Sequence, residues 1–191
     1  MWTLKRPLKP GPRGLLRRGS VLILMTLSLF LLFGCISLVV DLGFAFFKRQ
    51  QAQAAADASA SAAAAYAFNN GYTCGSGGVV CNTTYNCAYP AITPPNTPLE
   101  AGCLYASTNG FVNTGTQTVS LIQNNTAPPG VSGNAPSLWI EADVSQSLAT
   151  MFGVFAQVNS LAIKAKSVAA VSSIGTTNCV MGLSASGTAV T

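Results

Sequence analysis

Histidine is absent from the 191-residue chain. That excludes, within this chain, a Ser-His-Asp triad, a Cys-His dyad and any His-ligated metal. Charge is scarce as well. Asp, Glu, Lys and Arg together make up 8% of residues, against roughly 25% in an average soluble protein. The phosphate loop GxxxxGK, the zinc motif HExxH and the redox motif CxxC are all missing. No catalytic constellation, cofactor or metal site is therefore expected.

The charge that exists is unevenly placed. The formal net charge is +5. Six of the ten cations lie before residue 20: Lys5, Arg6, Lys9, Arg13, Arg17 and Arg18. From residue 50 onward there are two cations, Lys164 and Lys166, and four anions, Asp57, Glu100, Glu141 and Asp143. A basic tail precedes a nearly neutral body, so a nucleic-acid groove is not expected.

What is abundant is apolar sequence. Val21 to Val40 is twenty residues without a charge, fourteen of them Leu, Ile, Val or Phe. At about −0.3 to −0.6 kcal/mol each, those fourteen contribute roughly −4 to −8 kcal/mol toward membrane insertion. Twenty helical residues span about 30 Å, the thickness of a bilayer core. Lys48 and Arg49 follow the run, and the excess of Arg17, Arg18 and the other tail cations places the N-terminus in the cytoplasm. Asp41 then falls at the outer interface, where its carboxylate reaches water, or packs against another transmembrane helix. A cleaved signal peptide has a shorter apolar core. Leu32-Phe33-Gly34-Cys35 resembles a lipoprotein lipobox, yet the sequence stays apolar from Ile36 to Val40.

Beyond the membrane segment the chain is rich in alanine. Ten of the fourteen residues from Ala52 to Ala65 are alanine, the strongest helix former. No Gly or Pro interrupts Phe44 to Asn70. One helix is expected from about Ser20 to about Phe68. Its alanine surface suits close packing, either on other copies or partners, or as a stalk that also packs on its own domain.

The order Arg17-Arg18-Gly19-Ser20, a long apolar helix, Val40-Asp41-Leu42-Gly43, Arg49-Gln50-Gln51 and Ala55-Ala56-Asp57-Ala58 resembles the N-terminal segment of Tad (tight adherence, Flp pilus) assembly proteins of the TadE/TadG type. Trp139 to Ser145 and Met151-Phe152-Gly153, with the alternation after them, resemble later parts of such proteins. The resemblance implies a pilin-like or pseudopilin-like membrane protein that assembles or anchors a surface pilus. Its implied partners are other pilins or pseudopilins, the inner-membrane assembly platform and membrane lipid. The motif positions are Gly19, Asp41, Gly43, Arg49, Gln51 and Asp57. Gly19 takes the place of the glycine before a prepilin cleavage site, with Ser20 first after it. The fifth position is then Leu24, where prepilins carry Glu, which points to the uncleaved, TadG-like arrangement.

Residues 69–106 are rich in Gly and Pro, so helix or long strand is not expected there. They hold Cys74, Cys81, Cys87 and Cys103, at spacings that fit no zinc site. In an oxidising compartment they form structural disulfides, with three connectivities open. Cys179 remains over: free, paired between chains, or deprived of its partner. Further on, Thr116–Gln123, Leu138–Ser145 and Leu161–Val171 alternate as strands, and Val180–Ser184 does so weakly. Residues 148, 151, 152, 155 and 158 have helical spacing, so a helix over Gln146–Val158 is expected to cover the sheet. Glu141 and Asp143 share the solvated strand face, within reach of Lys164 or Lys166 on a neighbouring strand.

The expected fold is thus α+β. A transmembrane helix (20–47) follows a basic cytoplasmic tail (1–19) and continues as an Ala-rich helical stalk (48–68). A Cys/Pro/Gly-rich loop region (69–106) then leads into an extracytoplasmic region with a short sheet and one helix (107–191). The abrupt end at Thr191 suggests a fragment of a longer protein or a short form.

Overall fold

A computed structural model describes the backbone of residues 16–75, 80–126, 136–151, 153, 157–174 and 177–183, with side chains described between residues 21 and 171. Contacts divide the chain into two units, 1–40 and 41–191.

The first helix, α1, runs Leu16–Asn69. Its uninterrupted length follows from the lack of Gly and Pro after residue 43 and from the alanine run. It ends at Asn70-Gly71, where Gly71 takes a left-handed conformation (φ 66°) and Tyr72 N donates to Ala67 O at 2.9 Å. Within the 1–40 unit, the described side chains from Val21 to Val40 are exposed, Ser37 partly so. The hydroxyls of Thr26, Ser28 and Ser37 donate back to the carbonyls of Ile23, Met25 and Gly34 at 2.9, 3.0 and 2.7 Å. Each polar group of this apolar surface is thereby satisfied inside its own helix, as a hydrocarbon environment requires.

The 41–191 unit is built on a five-stranded antiparallel sheet in sequential order: β1 (Thr84–Asn86), β2 (Gln117–Asn124), β3 (Leu138–Ala149), β4 (Ser160–Ile174) and β5 (Thr177–Leu183). The strands expected at 116–123, 138–145 and 161–171 are present as β2, β3 and β4. The long β3–β4 pair sets Trp139 opposite Ala170, Asp143 opposite Lys166 and Leu148 opposite Leu161.

One face of the sheet carries Val119, Leu121, Ile140, Ala142, Val144, Ile163, Ala165 and Ala169, all buried. It forms one core with Ala52, Ala55, Ala56, Ala60, Ala63, Ala64 and Ala67 of α1. These alanines recur at three- and four-residue steps, so they make one stripe along the helix. Of the two readings of the alanine run, packing on the chain's own domain is the one seen. The opposite sheet face carries a smaller cluster of Trp139, Val168 and Ala170, with Ile122 against it.

The covering helix lies where the sequence reading expected loop. Helix α2 (Pro98–Thr108) buries Leu99, Cys103 and Ala106 in the same core. Thr97 caps it by accepting from Glu100 N at 3.2 Å, and Glu100 Oε2 accepts from Asn96 N at 2.7 Å. With Pro98 at the first helical position, Thr97-Pro98-Leu99-Glu100 is a complete helix-start signal hidden among prolines. The helix expected over Gln146–Val158 is not formed: Gln146–Ala149 continue β3, and no α-helix occurs among the described residues of 150–158. Cross-strand pairing with Ser160–Ile163 overrides the helical spacing. Leu148 is buried, whereas Met151 and Val158 face outward at 78% and 47% exposure.

Candidate functional site

In the 41–191 unit, the β3–β4 turn is fastened to α1 at Asp41. Its carboxylate accepts from Met151 N (3.3 Å) and Gly153 N (2.9 Å). The turn is closed by Val158 N donating to Gly153 O at 2.9 Å and by Thr150 Oγ1 donating to Val158 O. Gly153 is required there. A Cβ would lie 2.7 Å from both Thr150 Oγ1 and Val158 O. The two motif segments, Val40-Asp41-Leu42-Gly43 and Met151-Phe152-Gly153, thus meet through Asp41 and Gly153. Neither of the alternatives considered for Asp41 from sequence included this bond, because the partner is a backbone 112 residues away. Asp41→Ala is expected to speed amide exchange at Met151 and Gly153 while protection in the middle of β3 and β4 persists. Hydrogen exchange followed by mass spectrometry checks this. Removing a charged acceptor loses about 1.5–3 kcal/mol where it is buried, and less at this half-exposed carboxylate.

Other motif residues point elsewhere. Gly43 is exposed, with no atom within 4 Å of where a Cβ would sit. Lys48 Nζ lies 5.9 Å from the Phe44 ring centroid. Arg49 and Gln51 are half-buried. Asp57 accepts from Gln53 Nε2 at 3.0 Å, and the same amide reaches Lys166 O at 3.2 Å, tying α1 to β4. Arg17, Arg18 and Gly19 lie within α1; the side chains of Arg17, Arg18 and Cys179 are outside the described residues.

The four loop cysteines form Cys74–Cys81 and Cys87–Cys103. The second bridge is buried and joins the segment after β1 to α2. Cys35 is a free, exposed thiol on the apolar run. Among the described residues, no group of three His, Cys, Asp or Glu side chains is placed to hold a metal.

Glu141 and Asp143 meet Lys166, whose Nζ lies 2.7 and 3.2 Å from their oxygens. The pairing carboxylates raise the Lys166 pKa, the Glu141 hydrogen bond most, while burial opposes them. Tyr85 is also raised, by burial first and by Glu100 second. Both shifts act in the same direction. The unfolded groups release protons near their ordinary values of 10.5 and 10.0, and the folded ones hold theirs longer. Their contribution is fully present below pH 10.0 and is lost as pH rises past 10.0 and then 10.5 through the higher folded values. Urea denaturation of the detergent-solubilised chain is expected to show a midpoint that falls above pH 10.0, less steeply in Tyr85→Phe. The ion-pair part is small, roughly 0.2–1 kcal/mol, because Lys166 is half exposed.

Residues 19–65 match the Tad family model, described as Flp pilus-assembly TadE/G-like. The match covers 47 residues (19 to 65 inclusive) of 191 and lies wholly on α1. No curated protein and no solved structure matches the chain.

Proposed function

We propose that the chain, on the strength of its TadE/G-like segment, is a membrane-anchored structural protein in the assembly or anchoring of a Tad/Flp-type pilus. The observation that carries this reading is the register between the matched segment and the helix. Over 21–40 the matched residues are mostly apolar and exposed, and over 52–64 they supply most of the buried alanine stripe of a folded domain. One helix therefore supplies both a membrane anchor and the spine of the domain that follows it.

In this reading α1 crosses a bacterial inner membrane once, with the six-cation tail in the cytoplasm and the 41–191 unit in the periplasm or outside the cell. The disulfides agree with an oxidising side for that unit. Its work is mechanical rather than catalytic. The apolar helix holds the subunit in the bilayer, and the rigid sheet and α2 present surfaces to other pilins or pseudopilins and to the inner-membrane assembly platform. Leu24, where a prepilin would carry Glu, favours an accessory subunit over a member of the filament shaft.

The test is genetic and biochemical. In a cell that builds Tad pili and carries this chain, its deletion is expected to reduce surface pili, with restoration by the full chain. The cross-linked, tagged protein is expected to bring down components of the assembly platform. Normal piliation after deletion, with no platform component recovered, contradicts the reading and leaves a membrane-tethered or lipidated binding protein in its place.

A further inference from the structure

The base of the 41–191 unit is apolar on its outside. Leu42, Phe44, Phe46 and Phe47 of α1 are 56%, 50%, 63% and 54% exposed. Ala45, between them, is buried, so the helix face bearing Ala45 is turned inward and the three phenylalanines outward. Met151 and Val158 add two more exposed apolar side chains. The Asp41 bonds to Met151 N and Gly153 N, and the Val158–Gly153 bond, put these two residues at the level of the first residues of the unit. A soluble surface would not concentrate its exposed large apolar side chains in this way.

We propose that this base is a lipid-contacting collar, seated in the membrane interface on the C-terminal side of the span. Leu42, Phe44, Phe46, Phe47, Met151 and Val158 would lie among the headgroups and upper acyl chains. This rests on the anchoring role proposed for Val21–Val40.

Chain continuity supports the choice of lipid. The uncharged run ends at Val40, and Asp41 is the next residue. The hydrocarbon core is about 30 Å thick and the whole bilayer about 40–45 Å, which leaves roughly 5–7 Å of headgroup region on each side. Residues 41–47 rise about 10 Å along a helix, so they cover that region. Lys48 and Arg49 follow just beyond it, within side-chain reach of the headgroups. Lys48 Nζ lies against the Phe44 ring, 5.9 Å from its centroid, a cation–π contact. The collar gives Asp41 a purpose as well. By holding the β3–β4 turn against the first residues of the unit, it gives the domain a second point of contact with the bilayer.

Spin labelling of the full chain in phosphatidylcholine–phosphatidylglycerol vesicles tests this. Labels are placed at Met151→Cys and Phe46→Cys, with Asn125→Cys as reference, in a Cys35→Ala, Cys179→Ala background. Asn125 is exposed and follows β2 where that strand pairs with the end of β3 remote from the turn. Relaxation by oxygen relative to a water-soluble nickel chelate is expected to be severalfold greater at residues 151 and 46 than at residue 125. Equal access of the chelate to residues 151 and 125, in protein that floats with the vesicles, overturns the collar and leaves the anchor intact. Shielding of residue 151 from both relaxants with dipolar broadening also overturns it, by showing a second copy on this surface. Failure to float with the vesicles removes the anchor and the collar together.

Discussion

Gly102→Leu is expected to be among the most damaging single substitutions in the folded unit. Gly102 is where α2 crosses α1. A Cβ there would sit 3.0 Å from Ser59 O and 3.1 Å from Ala63 Cβ and would overlap the Leu121 side chain. The crossing is also fixed by Ser59 Oγ donating to Gly102 O at 2.9 Å, with Ser59 fully buried. Overpacking a tight site costs about 1–3 kcal/mol and occasionally more. A leucine in contact with backbone on one side and sheet on the other falls at the top of that range or beyond it. The gain in helix propensity, roughly 1 kcal/mol on losing a mid-helix glycine, offsets only part. Ala54→Leu is the control, on the facing helix α1, since Ala54 is exposed, and it is expected to stay within about 0.5 kcal/mol of the parent. Urea titration of both variants checks the pair. Parental stability in Gly102→Leu would mean that α2 does not rest on α1.

The second large effect is expected on removing the Cys87–Cys103 bridge. Its sequence separation is 16, against 7 for Cys74–Cys81. Loop-closure entropy then assigns about 3 kcal/mol to the longer bridge and about 2.4 kcal/mol to the shorter. The longer one should matter by a wider margin than that. Cys87 and Cys103 are 6% and 4% exposed, inside the core, whereas Cys74 is only half-buried. The double variant Cys87→Ala, Cys103→Ala therefore loses packing in addition to the crosslink. Denaturant midpoints of the two double variants, measured without reductant, check the order. Equal losses would contradict the central placement of the second bridge.

The parts of the fold legible in the sequence are those governed by local pattern. An apolar run of twenty residues and an alanine run without Gly or Pro announce α1, and period-two alternation announces β2, β3 and β4. The same alternation put Glu141 and Asp143 within reach of Lys164 or Lys166, and cross-strand register selects Lys166. Where pattern and pairing disagreed, pairing prevailed, as at Gln146–Ala149. Helix α2 was concealed by composition. Proline at a helix start is favourable, yet among Pro90, Pro94 and Pro95 it reads as one more turn residue. Its capping pattern, Thr97 with Glu100, was the usable signal. The Asp41–Gly153 contact has no local signature, since nothing near Asp41 in sequence indicates which backbone its carboxylate will meet.

The central claim is that the apolar helix remains part of the mature protein, as the anchor of a disulfide-braced domain. The intact, non-reduced mass of protein extracted from membranes tests it most directly. The account predicts a chain that still contains Val21–Val40, beginning at Met1 or at Ser20, without lipid, and two hydrogens lighter for each of the bridges Cys74–Cys81 and Cys87–Cys103. A chain beginning at a lipidated Cys35, or one starting after Val40, would contradict it.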